Sequence, residues 1–277
     1  MEYFLIYLPN ILAALLGAFS LALLGSVLSA RSESLQALVA SQSAALGVTV
    51  GMLFVLIFIG AVQSYPLLPA VLAFAVAMVT YFISQKLCNK FRAKSTEILL
   101  VVFLATIALN YLITAAFPAL EQHFSAAFMG DIATASALSS YWLCFVAFFC
   151  GIFFLGFYKK LLLQSFWISS ADVVLFPNLR LYLYIVAAIL IVESTRIFGF
   201  LFTASSLFCL PLGASIASRS IKNYGYCLLL LSMLLTLIGF VFSMLYQSFS
   251  TSASIVICQV LGSIVYVCLK TTKTFSK

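Results

Sequence analysis

The sequence is poor in charge and poorer still in the side chains that do covalent chemistry. Only 8% of its 277 residues are charged, seven are acidic and one is histidine. No two acids stand in an Asp-x-x-Asp arrangement, so diphosphate chemistry, prenyl transfer and metalloprotease chemistry have no apparatus here. No Gly-x-x-x-x-Gly-Lys-[Ser/Thr] run occurs, so any ATP must be handled by another subunit. The seven cysteines contain no Cys-x-x-Cys pair and fall almost entirely inside apolar runs. They read as small buried hydrophobes rather than a disulfide framework or metal cluster. No polar stretch is long enough for a soluble domain, and no internal repeat, low-complexity tail or linker is evident. The chain is therefore expected to be one domain, 1–277.

What is present is hydrophobic residue, 65% of the chain, with a mean hydropathy of +1.21. That composition belongs to membrane proteins. The apolar runs are long and continuous, without the alternation of barrel strands, so the expected fold is all-α and polytopic. Nine spans are expected, at about 4–29, 36–62, 66–86, 97–118, 139–158, 180–195, 197–218, 224–246 and 252–270. The start lacks a basic region and a small-residue cleavage site, so its first apolar segment is expected to be a retained span.

Charge sorts the connections into two sets. One holds Arg31, the Lys86 to Lys94 group, Lys159, Lys160, Arg180, Arg219, Lys222, Lys270, Lys273 and Lys277; the other holds Arg196 alone, thirteen basic residues against one. The positive-inside rule then places the N-terminus outside and the C-terminus in the cytoplasm. The net charge of +7 thus records orientation in lipid, and nucleic acid is not an expected partner.

Two connections stand apart. Glu121 to Ser136 is a weakly hydrophobic outer segment, re-entrant or interfacial, in which Glu121, His123 and Asp131 are possible outer metal contacts or solvated loop residues. Lys159 to Arg180 is amphipathic and suits a short helix on the cytoplasmic surface, N-capped within Ser169 to Asp172 and stopped by Pro177. It is a candidate docking element for a cytoplasmic partner. Glu193 and Arg196, three apart, suit a local ion pair.

Polar residues recur at helical spacing on several spans. Thr106, Asn110 and Thr114 share a face, as do Ser232, Thr236, Gly239, Ser243 and Gln247. Gln42, Ala45 and Thr49 share another, beside the small-residue pair Gly47 and Gly51. Helix packing explains such stripes; so do helices around a hydrophilic route, with Gln42, Thr49, Asn110, Ser243 and Gln247 as its candidate lining.

Read in order, several segments resemble the permeases of metal-ion ABC transporters, the zinc, manganese and iron family. "LLGSVLSARSESLQAL", with Gly25 and Ser26, is similar to that family's Leu-Gly-Ser, basic turn and head of helix two. "SAALGVTVG" matches its continuation through Gly47 and Gly51, and "FMGDI" resembles its Phe-Gly-Asp. "RIFGFLFTASSLFCLPLGASIASR" resembles its Gly, Leu-Leu and Pro-Ala-Ala-x-Ala-Arg signature through Gly199, Pro211, Ala214 and Arg219. The resemblance implies an importer subunit in the cytoplasmic (inner) membrane. It would bind no cofactor itself and work with a cytoplasmic ABC ATPase, a second permease subunit of the same or a sister chain, and an extracytoplasmic metal-binding protein. It also implies that Ser170, Asp172, Val174 and Asn178 face the ATPase. The family's aspartate and histidine at the head of helix two are replaced by Leu38 and Gln42, and its Asp-x-Pro-x-Gly before the last span by "QSFSTSAS". A secondary metabolite transporter and a membrane assembly factor are the alternatives. The first should show two similar halves, which the span pattern lacks.

Overall fold

The computed structural model describes residues 2–59, 67–91, 94–121, 128, 130, 132, 135–171, 176–218, 220–246 and 250–275. Nine α-helices fall among them: α1 (Glu2–Ala30), α2 (Ser34–Ile59), α3 (Leu67–Lys90), α4 (Ser95–Ala116), α5 (Ala137–Ala171), α6 (Pro177–Phe198), α7 (Phe200–Ala217), α8 (Ile221–Leu245) and α9 (Thr251–Phe275). A single 3-10 turn, Pro118–Leu120, follows α4. The described residues contain no strand. Eight helices are long and apolar enough to cross a membrane. The ninth, α7, corresponds to the seventh expected span and has only 18 residues. Its rise of about 27 Å falls short of a hydrocarbon core of roughly 30 Å.

The bundle is built around α1, whose span is 83% buried, whereas that of α4 is 17% buried. α1 packs on α5, α7 and α8; α2 packs on α3, α4 and α6; α9 packs on α7 and α8. With no hydrophobic drive between helices in lipid, close approach depends on small residues. A Cβ on Gly47 would stand 2.5 Å from the Cα of Ala73, and one on Gly51 would stand 2.6 Å from the Cα of Pro69, so this pair seats α2 on α3. Gly25 lies against the Leu207 carbonyl and Pro211 of α7. Gly130, at φ +66°, is pressed on the Phe198 carbonyl, where α6 breaks into α7 at Gly199 with φ +87°. The segments around Gly25 and Gly130 thus both meet the α6–α7 segment at glycine contacts, while the one around Gly47 and Gly51 meets α3.

The connection between α5 and α6 differs from its expected form. α5 does not stop at residue 158 but runs on to Ala171, past the exposed Lys159 and Lys160. Leu161, Gln164 and Ser165 are buried one turn apart and hold this extension to the bundle. Ser169 and Ser170 therefore lie near the end of a helix rather than at an N-cap. Pro177 opens α6 instead of stopping a helix. Proline suits that position because its missing N–H would have had no partner in the first turn.

Candidate translocation site and the family it belongs to

Gln42 and Asn110 have 0% exposure, and Thr49 has 1%. On α4 the buried residues are Leu99, Thr106, Asn110 and Thr114, so the polar stripe read from the sequence is the face turned into the protein. That helix packs on α2 and α3. The threonines satisfy themselves on their own backbones: Thr49 donates to the Ala45 carbonyl at 3.1 Å, Thr106 to Phe103 at 2.8 Å and Thr114 to Asn110 at 3.0 Å. The amides do not. Oxygen and nitrogen of both Gln42 and Asn110 are buried without a hydrogen-bonding partner among the described residues. Each such group costs about 1–3 kcal/mol to bury. Four of them on two packed helices mark a place that folding alone does not explain.

Ser243 lies elsewhere. It is buried on α8, which packs on α9, α1 and α7, and α8 has no substantial packing with α2 or α4 among the described residues. The same stripe supplies Gly239, whose Cβ would stand 2.5 Å from the Cα of Ile255, and Thr236, which meets Gln259 of α9. Gln259 accepts from Ser205 at 2.6 Å and donates to Ser206 at 3.2 Å and Thr236 at 3.1 Å. This is interhelical bonding of the kind that holds spans together. Sequence reading missed Gln259, although an amide inside an apolar span is itself a signal.

A second polar cluster occupies the end of the bundle where the α1–α2 turn meets the α5–α6 connection. Arg31, only 4% exposed, donates through Nε to Ser165 Oγ at 3.0 Å and through Nη2 to Gln164 Oε1 at 3.5 Å. Gln164 donates to the Phe176 carbonyl at 2.9 Å. Glu33 accepts from the Tyr184 hydroxyl at 2.8 Å, and that hydroxyl accepts from Arg180 Nε at 3.2 Å. Both guanidinium groups also lie over the Tyr184 ring, at 5.9 and 5.6 Å. Burial pushes the Glu33 carboxyl above its ordinary range, against the opposing pull of the Tyr184 hydrogen bond, Arg31 and Arg180. In the sequence Arg31 reads only as a basic turn residue.

Asp172, Val174, His123, Asp131 and Gln247 lie outside the described residues; Asn178 and Glu121 are exposed. Among the described residues no three of His, Cys, Asp and Glu come together to hold a metal ion. Glu193 and Arg196 form the expected local pair at 2.7 Å. None of the seven cysteines forms a disulfide among the described residues. Gly25, Ser26, Gly199, Pro211 and Ala214 are structural contacts, with Ser26 beside the Tyr158 hydroxyl at 3.3 Å.

The family model of the ABC 3 transport family matches residues 3–270. The chain belongs to that family. It is a multi-span permease of metal-ion ABC transporters, seated in the cytoplasmic membrane, and not itself the enzyme of the system. In fold it is similar to a chain of PsaBC from Streptococcus pneumoniae in complex with Fab, with a TM-score of 0.74 and 16% identity over 94% of this chain and 90% of that one. A comparison with curated protein sequences gave no match.

Proposed function

We propose that this permease subunit imports a divalent metal ion of the zinc, manganese or iron class by alternating access. The cation is delivered by an extracytoplasmic binding protein, and the driving ATPase docks at the α5–α6 connection through Ser170, Asp172, Val174 and Asn178. The chain binds no cofactor of its own; ATP stays with its partner. The end of the bundle that carries the basic turns faces the cytoplasm, a reading supported by the thirteen-to-one distribution of basic residues. Cysteines introduced singly at Lys90 and Lys273, in a background without native cysteine, should escape impermeant thiol reagents in intact cells, and one at Ser250 should react. Labelling at Lys90 from outside would invert the orientation.

The observation that carries the reading is the orphaned amide pair, Gln42 and Asn110, buried on α2 and α4. Amide oxygens hold a hard or hydrated cation weakly and are poor ligands for zinc. Gln42 and Leu38, where the family carries histidine and aspartate, therefore suit a route through which the ion passes without tight capture. A sister permease would keep the strong ligands. Restoring them with Leu38→Asp and Gln42→His places two ligands four residues apart on one helix face, which should raise the metal retained by the purified protein. Mass spectrometry of bound metal is read beside thermal stability. A less stable protein with no added metal would mean that this face of α2 only packs, and that the new charge is buried unpaired.

A further inference from the structure

The cluster at the basic end of the bundle has more than a fastening role. Of the two elements that flank the α5–α6 connection, Gln164 and Ser165 on α5 and Tyr184 on α6 bond directly to the α1–α2 turn, with Phe176 joined through Gln164 and Arg180 through Tyr184. That turn opens directly into α2, and Gln42 lies about two turns further along the same helix. The bonds alone would describe a rigid strut. The cluster is not fully bonded, however. Arg31 Nη1 and Glu33 Oε2 are both buried without a partner among the described residues, a spare donor and a spare acceptor two residues apart. Gln36 Oε1 is orphaned beside them, and the Tyr81 ring lies 5.1 Å from that of Tyr184. Between Arg31 and Glu33, Ser32 takes φ +58°, a left-handed conformation that a non-glycine residue holds only when its surroundings impose it. Glu33, Gln36, Tyr81 and Tyr184 line a cavity of about 40 Å³ whose walls include Ala37, Ala40 and Ala77, leaving space between α2, α3 and α6.

We propose that Arg31, Glu33 and Tyr184 are positioning residues for transport, forming a joint that carries movement of the α5–α6 junction to the head of α2 by an exchange of partners. In the arrangement described here the Arg31 guanidinium is held by α5. When Gln164 and Ser165 draw away, the free edge of Arg31 turns to the unbonded oxygen of Glu33, Tyr184 is released, and α2 shifts toward the alanine-walled space. A transmitting element needs two discrete arrangements that its two ends bias. A donor and an acceptor held in reserve within one strained turn supply the second. The joint rests on the permease reading above and adds to it the residues through which the coupling passes.

The test uses proteoliposomes of the complete transporter, with ATP hydrolysis and uptake of radiolabelled manganese(II), zinc(II) and iron(II) read in parallel. Tyr184→Phe keeps the ring beneath both guanidinium groups and removes only the bridging hydroxyl. Hydrolysis should stay within about twofold of wild type while metal moved per ATP falls at least about tenfold. Glu33→Gln keeps an acceptor for Tyr184 but puts an NH2 donor where the unbonded oxygen stands, so it should lower the ratio, and Glu33→Leu should lower it further. An unchanged ratio in Tyr184→Phe and Glu33→Leu, or a proportional fall of hydrolysis and uptake in both, overturns the joint. A second readout needs no transport: a cysteine at Ala40, on the cavity wall, should label with a maleimide about fivefold faster when Tyr184→Phe is added to the full chain. No change in that rate also overturns the joint. If the unmutated transporter moves none of the three metals, the permease reading fails instead, and the joint is judged by labelling alone.

Discussion

Gln259 and Gln42 are the same side chain, each with no exposure to solvent, and the protein treats them in opposite ways. Gln259 meets three hydroxyls on two neighbouring helices, so α7, α8 and α9 are bound through one amide. Gln42 meets none, and Asn110 on α4 repeats the pattern. Where the amide is saturated, its purpose ends with cohesion. Where it is left open, the fold bears a cost that cohesion does not return. A permease needs both kinds of polar residue inside its membrane domain, and only the second kind has capacity left for something that passes through.

Substitution by leucine, close to glutamine in volume, separates the two most sharply. Gln42→Leu should lower metal uptake by about tenfold or more, while stability stays level or rises by up to about 1 kcal/mol because an unpaired amide has been removed. A stability loss equal to that of Gln259→Leu would erase the contrast. Gln259→Leu should cost about 1–3 kcal/mol, seen as a melting temperature several degrees lower in detergent, since three hydroxyls lose their shared partner. Its uptake should fall only in step with the folded fraction. Asn110→Leu should resemble Gln42→Leu at smaller amplitude, about threefold in uptake, because Gln42 still presents an oxygen. An undiminished rate would remove α4 from the route.

A third buried polar group gives the smallest effect and a test by pH. The carboxyl of Glu33 is held above its ordinary value of 4.5 by burial, which outweighs its Tyr184 hydrogen bond and the charges of Arg31 and Arg180. Its proton is therefore bound more tightly in the folded chain. The stability this contributes is complete below pH 4.5 and is lost as pH rises through the elevated folded value. Melting temperatures measured from pH 4.5 to 8 should decline less steeply in Glu33→Gln than in wild type. Identical slopes would mean that the arginines already hold the carboxylate charged.

Hydropathy made most of the fold readable, because a span must be long, apolar and bounded by polar residues. The break between the sixth and seventh helices, expected near residue 196, lies at Gly199. The same logic fails at Lys159 and Lys160. Two charges mark the edge of a membrane but do not end a helix, and the buried Leu161, Gln164 and Ser165 carry α5 beyond them. Periodicity identified the polar faces but could not say what they meet. The stripe on α4 and the stripe on α8 have the same rhythm, yet one holds an open amide and the other lies against Ile255 and Gln259. Arg31 shows a further limit, since a basic residue in a short turn reads the same whether it faces water or is buried among four helices.

The Phe198 carbonyl, at the break between α6 and α7, is covered by Gly130 from one side and accepts the Ser252 hydroxyl at 3.1 Å from the other. Ser252 belongs to α9, as does Gln259, the only shared partner described for Ser205, Ser206 and Thr236. Both contributions come from a helix that leaves the ribosome after α7 and α8. During biogenesis α7 and α8 must therefore wait in the membrane with these polar groups uncapped, held by whatever lipid, water or insertase surface surrounds them. Truncation ahead of residue 251 would leave a nascent bundle whose contacts at Gly25, Gly47 and Gly51 are already in place but whose central break is unsealed. Such a chain is a natural substrate for membrane quality control.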